Sequence, residues 1–166
     1  MSTIDVAKSA IQRLQAGAVA AELSGHARGT PGNASYHEAG HAVVALAVRG
    51  GEEEPVAHRA WIAENADGSV EGCCEFAPDV TFEERTSART DDEKIEAILA
   101  ALQVEPAIPP PDLGELRLDV EVILRRHWRA VEAMAASLLE TGGLTQRQIE
   151  DAIRHTVPGL LPEYGG

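Results

Sequence analysis

Apolar residues recur at spacings of three and four from the start of the chain: Ile4, Ala7, Ile11, Leu14 and Ala18 share one helical face. A helix is therefore predicted from Ser2 or Thr3, either of which can cap it, to about Leu23. Ser24-Gly25-His26-Ala27-Arg28-Gly29-Thr30-Pro31-Gly32-Asn33 interrupts the period with the glycine and proline of a loop. The helical pattern restarts near Tyr36, with Asn33 or Ser35 as the expected cap. It becomes apolar on all sides in Ala42-Val43-Val44-Ala45-Leu46-Ala47-Val48, and glycines predict its stop at Arg49-Gly50-Gly51. A helix apolar all round belongs in the interior.

Beyond Glu52-Glu53-Glu54-Pro55 the texture changes. Val56 to Ala63 and Ser69 to Phe76 are short runs flanking Ala66-Asp67-Gly68, which predicts a β-hairpin with Trp61 on its first strand and Val70 on its second. Residues 77–90 are polar and read as irregular, although Thr81-Phe82-Glu83-Glu84 has the pattern that opens a helical turn. Asp91-Asp92-Glu93-Lys94 opens a further helix, with acids where they suit the dipole and Ile95, Ile98, Leu99 and Leu102 as its apolar face. Prolines between Val104 and Pro111 end it. The longest helix is predicted from Asp112 or a neighbour, through Leu116, Val120, Ile123, Leu124, Trp128, Val131, Met134, Ala135 and Leu138 to Leu139, closing at Thr141-Gly142-Gly143. Thr145 and Gln148 form a capping box for a short last helix through Ile149, Ala152 and Ile153, and Leu160 to Gly166 reads as a tail. The expected fold is mainly α, of the α+β class, with a small β-hairpin. It is read as one domain over residues 1–166: an N-terminal helix and loop (1–34), a core (35–156) and a tail (157–166).

Charge narrows the function. A formal net charge of −13 argues against nucleic acid or anionic membrane surfaces as the main partner. No apolar stretch approaches the roughly 20 residues that span a bilayer, and the first residues lack the features of a signal peptide, so a cytoplasmic location and no membrane insertion are expected. Cys73 and Cys74 are adjacent, which gives neither a disulfide framework nor CxxC metal spacing and favours a buried small hydrophobe on a strand for at least one of them.

The buried helix carries the candidate chemistry. His37-Glu38-Ala39-Gly40-His41 is the pattern HExxH: histidines four apart project from one helical face and can share a zinc ion, and the glutamate beside them can act as general base. A plainer reading exists, in which Ser35 and Glu38 form a capping box and no metal binds. A catalytic zinc takes a third protein ligand and keeps one position open. The extended pattern HExxHxxGxxH would supply it locally, but Val44 and Ala47 stand where glycine and histidine are required. Downstream carboxylates at a helix start, Asp112, Glu115 and Asp119, are suitable, with helix capping or solvated charge as their plain roles. His26, in the loop, is a further histidine able to approach a metal or remain solvated.

Tyr36-His37-Glu38-Ala39-Gly40-His41-Ala42 resembles the active-site segment of the FtsH-type ATP-dependent zinc proteases. Trp61-Ile62 and Ser69-Val70-Glu71-Gly72 resemble the strands after that helix, and the segment from His127-Trp128-Arg129-Ala130-Val131 through Leu138-Leu139 to Ile149 resembles the family's closing helices. The resemblance implies a zinc metalloendopeptidase domain with Glu38 as base, His37 and His41 as ligands, and a third ligand from an Asp that opens a helix. Pro111-Asp112-Leu113 is the nearest match to that pattern, so the carried-over ligand is Asp112, with Asp119 as runner-up. Family members also carry a membrane anchor and an ATPase module. Here there is no span and no P-loop, since neither Lys8 nor Lys94 follows the required glycine. The resemblance thus implies a stand-alone peptidase acting on peptides or unfolded protein, or one served by a separate ATPase or oligomer partner. The rival is a catalytically silent binding or regulatory module that keeps the fold, with or without the metal.

Overall fold

The first helix, α1 (Thr3–Ser24), begins at a capping box in which Ser2 and Asp5 satisfy each other's backbone N–H groups, in a computed structural model that describes residues 2–48, 56–77, 90–104 and 108–156. Ala7 and Ile11 are buried as the pattern requires, whereas Ala18 is exposed. The second helix, α2 (Pro31–Ala47), starts earlier than expected: Thr30 is its cap, accepting from Asn33 N at 3.2 Å, and Pro31 stands in the first turn, where no N–H is missed. Ser35 is consequently buried inside the helix, its hydroxyl donating to Gly32 O at 2.8 Å. The capping-box reading of Ser35 and Glu38 is thereby corrected. The predicted stop at Gly50-Gly51 and the helical turn at Thr81-Phe82-Glu83-Glu84 lie outside the described residues, as does the tail.

Helix α2 runs through the middle of the structure, against α1 on one side and a sheet and later helices on others. Its crossing with α1 is close because both surfaces are small. A β-carbon at Gly40 would lie 2.5 Å from Ala20 Cβ and 2.6 Å from Ala16 O, so any side chain there would push the helices apart. Val43 and Val44, both fully buried, enter a core with Val131, Met134, Leu138, Ile149 and Ile153. Burial of each such side chain stabilises the fold by roughly 1.5–3 kcal/mol.

The hairpin forms as predicted. Strand β1 (Val56–Glu64) pairs antiparallel with β2 (Val70–Ala77), from Glu64 opposite Val70 to Val56 opposite Ala77, with one register shift between Ala57 and Arg59. In the turn Gly68 donates its N–H to Asn65 O at 3.0 Å and adopts φ 85°, a value that favours glycine.

Helix α3 (Asp91–Leu102) has Thr90 and Glu93 as its capping box. Its Ile95, Ile98 and Leu102 join Ala7, Ala10, Ile11 and Leu116 in a second apolar cluster. The long helix predicted from Asp112 is two helices, α4 (Leu113–Arg126) and α5 (Trp128–Thr141), broken at His127, where φ is −109° and ψ 24°. Neither proline nor glycine stands at the break. Leu116 of α4 packs into the second cluster beside α1, while Val120 and Leu124 of α4 join Val131, Met134 and Leu138 of α5 in the first.

A short strand, β3 (Gly143–Thr145), was not anticipated from the glycines that end α5. It pairs antiparallel with β1, Ala60 opposite Leu144, and gives the sheet the order β2-β1-β3. Helix α6 (Gln146–Arg154) then opens at the expected Thr145–Gln148 capping box and buries Ile149 and Ile153. The architecture is mainly helical with a small three-stranded antiparallel sheet. No helix among the described residues is long and apolar enough to cross a membrane.

Candidate metal centre

The spacing of four on α2 stacks His37 and His41 one turn apart, with ring centroids 4.8 Å apart and planes at 74°. The close crossing with α1 then orients one of them. His41 Nδ1 lies 2.7 Å from the carbonyl oxygen of Arg13, and because a carbonyl only accepts, Nδ1 carries the proton. In the neutral ring the lone pair is on Nε2, the tautomer a metal requires, and such a partner on the far nitrogen is the usual support of a ligating histidine.

Asp91, the first residue of α3, meets both rings. Its Oδ2 stands 3.1 Å from His37 Nε2 and 3.1 Å from His41 Nε2. The three residues form a group that can hold a metal ion, with ligand atoms all within 4.8 Å of one another. Thr90 places the carboxylate: its hydroxyl accepts from Glu93 N at 3.2 Å and its N–H donates to Glu93 Oε2 at 2.9 Å, which fixes the first turn of α3.

The expected third ligand is elsewhere. Asp112 caps α4, its Oδ1 accepting from Gly114 N at 2.9 Å and Glu115 N at 3.2 Å, and it is exposed and apart from the histidine pair. Glu115 and Asp119 are likewise exposed on α4. The helix-capping role proposed for Asp112 as the plain alternative is the one observed, and the place beside the histidines is taken by Asp91. Sequence reasoning passed over Asp91 because an acid at a helix N-terminus already has a sufficient local role. His26 also stays away: it is exposed and stacks on Tyr36 at 5.4 Å, which in turn stacks on Trp128 at 5.5 Å.

Charges at the site are strongly coupled. Glu38 is only 6% exposed, and burial pushes its carboxyl above the usual range, against the pull of His41 and His37. For His41, burial opposes a charge, but Asp91, Glu38 and the Arg13 carbonyl outweigh it and push the imidazole up to about 9 in the metal-free protein. For Asp91 burial works in the opposite direction to its partners. The charge of His41 and the hydrogen bonds of both histidines prevail and hold its carboxyl well below the ordinary carboxylate range. A buried cation is what this cluster favours, whether imidazolium or metal.

The donor set fits a divalent transition ion: two imidazole nitrogens and one carboxylate oxygen, converging from two helices. The space also fits. A β-carbon at Gly17 on α1 would lie 2.4 Å from His41 Nε2 and 2.6 Å from His37 Nε2, so glycine leaves a gap of atomic size where the two nitrogens converge. The group opens on a cavity of about 590 Å³, walled on one side by residues 72–76 of β2 and on another by Lys94 of α3. Among the described residues no strand pairs with the outer edge of β2. Cys73 and Cys74 are free and half-buried, and burial followed by the charge of Glu38 raises both thiols above their ordinary value. Compared with protein-family models, curated proteins and solved structures, the chain matches none.

Proposed function

We propose that the protein is a zinc-dependent metallopeptidase that cleaves extended or unfolded polypeptide. The observation that carries this reading is the convergence of His37, His41 and Asp91 on one point, with the buried carboxyl of Glu38 in the same cavity. A metal that only stabilised the fold would be closed off by four ligands, whereas three ligands facing an open cavity suit catalysis.

His37, His41 and Asp91 would hold the ion, which when bound supplies Lewis acidity toward a scissile carbonyl and lowers the pKa of a water. Glu38 takes the proton from the attacking water and delivers it to the leaving amine, so a single residue serves as base and then acid. Its raised affinity for protons, caused by burial, suits the second half of that role. The edge of β2, unpaired among the described residues, supports an extended substrate, because a peptide laid along it would gain main-chain hydrogen bonds without needing a particular sequence.

The test is zinc per chain, by elemental analysis, together with hydrolysis of an unstructured fluorescent casein. Wild type should hold about one zinc and cleave; Glu38→Gln should keep the zinc and lose at least about 100-fold in rate, the lower range for a general base. Zinc without hydrolysis in the wild type would identify instead a module that retains the metal and turns nothing over. No zinc after reconstitution would overturn the metal reading altogether.

A further inference from the structure

Gly17 lies in the interior of α1, buried, one helical turn beyond Arg13, whose carbonyl holds His41. Glycine is a poorer helix former than alanine, so a buried glycine mid-helix calls for a packing reason. Its neighbours supply one that differs from the reason at Gly40. At Gly40 the obstacles to a side chain are Ala20 Cβ and Ala16 O, the surface of the opposite helix. At Gly17 they are the histidine rings, with His41 Nε2 at 2.4 Å, His37 Nε2 at 2.6 Å and His37 Cδ2 at 2.7 Å from the place a β-carbon would take. Zinc stands about 2.0–2.1 Å from an imidazole nitrogen, so a β-carbon here would occupy nearly the position of an ion bound to both.

We propose that Gly17 is a positioning residue for the metal: having no side chain, it keeps open the coordination space between the Nε2 atoms of His37 and His41. The inference rests on the metal reading above. His41 has little freedom to yield, being buried and held through Nδ1 by Arg13 on the same helix as Gly17. His37 has more, its side chain being 31% exposed. A methyl group at residue 17 would therefore turn His37 outward and separate the ligand pair, and α1 acts on the metal without supplying a side-chain ligand.

The experiment is zinc affinity of Gly17→Ala, measured by competition with a chelating dye, alongside circular dichroism and thermal melting of the metal-free protein. The expected result is a folded protein that binds zinc at least about tenfold more weakly, the scale of loss for residues that orient ligands. Equal affinity in wild type and Gly17→Ala overturns the proposal while leaving the metal centre intact. A wild type that takes up no zinc overturns the metal reading itself, and with it this role for Gly17. Should Gly17→Ala fold poorly, Gly17→Ala combined with both His37→Ala and His41→Ala decides the steric half in metal-free protein. With both rings removed the atoms nearest the added methyl are gone, and Gly17→Ala should cease to lower the melting temperature. If it lowers the temperature as much in the background lacking both His37 and His41, the methyl meets something other than the ligand pair and the proposal fails.

Discussion

His41 donates its Nδ1–H to the main-chain carbonyl of Arg13 at 2.7 Å, across the crossing of α1 and α2. A residue 28 positions earlier thus selects the tautomer of the candidate ligand, by its backbone rather than its side chain. The N-terminal helix is part of the site, although it carries no ligand among the residues grouped there.

Asp91 stands beside the histidine pair while Asp112 caps α4, and a pair of substitutions tests which of them serves a metal. Asp91→Ala is expected to weaken zinc binding by at least about 100-fold, above the range for outer-shell partners. Asp112→Ala should leave zinc affinity unchanged and cost about 1 kcal/mol of stability through the lost cap of α4. Zinc titration and urea unfolding of both variants would reveal the reverse assignment at once.

Thr90 orients Asp91 through the first turn of α3, so its effect should appear at the metal as well as in stability. Thr90→Val removes the hydroxyl that accepts from Glu93 N and should destabilise the protein by about 1 kcal/mol. Zinc affinity should fall too, by less than in Asp91→Ala. A loss of stability with no change in affinity would mean that Asp91 is placed by other contacts.

The metal-free protein should lose stability as pH rises, and bound zinc should offset that loss. The His41 imidazole is raised from 6.5 to about 9 by its surroundings, so its protonated form contributes stability that is complete below pH 6.5 and is lost as pH rises through about 9. Zinc needs the neutral ring, so the stabilisation it gives should grow over the same interval. Melting temperatures from pH 6 to 9, with and without zinc, measure both; parallel curves would contradict the shared site.

Gly72 on β2 faces the proposed base. A β-carbon there would come within 3.0 Å of Glu38 Cγ and Oε1, which must shift to admit it. Gly72→Ala should accordingly keep its zinc and lose peptide hydrolysis by about tenfold or more, given the 10²–10⁴ that a placed base contributes. Unchanged hydrolysis would show that the carboxyl yields without consequence.

Much of the fold was legible because its determinants are local. The Thr90–Glu93 and Thr145–Gln148 boxes announce α3 and α6, and Asp67-Gly68 announces the hairpin, since each signal is complete within a few residues. The start of α2 was misplaced because Thr30-Pro31 and Ser35 are both acceptable beginnings, and packing of Ser35 into the interior chose between them. The break at His127 and the strand at Gly143–Thr145 carry no local mark, and the strand arises from pairing with β1, far away along the chain.

The candidate site divides along the same line. The sequence by itself determined that His37 and His41 share a face and that Glu38 stands beside them, because the helical repeat converts a spacing of four into proximity whatever surrounds it. Only the tertiary structure decided the third member. Asp91 lies 50 residues beyond His41, and locally it is an acid at a helix start, indistinguishable from Asp112. What separates them is where α3 and α4 dock, a result of apolar burial against α1 that has no echo in the residues around either carboxylate.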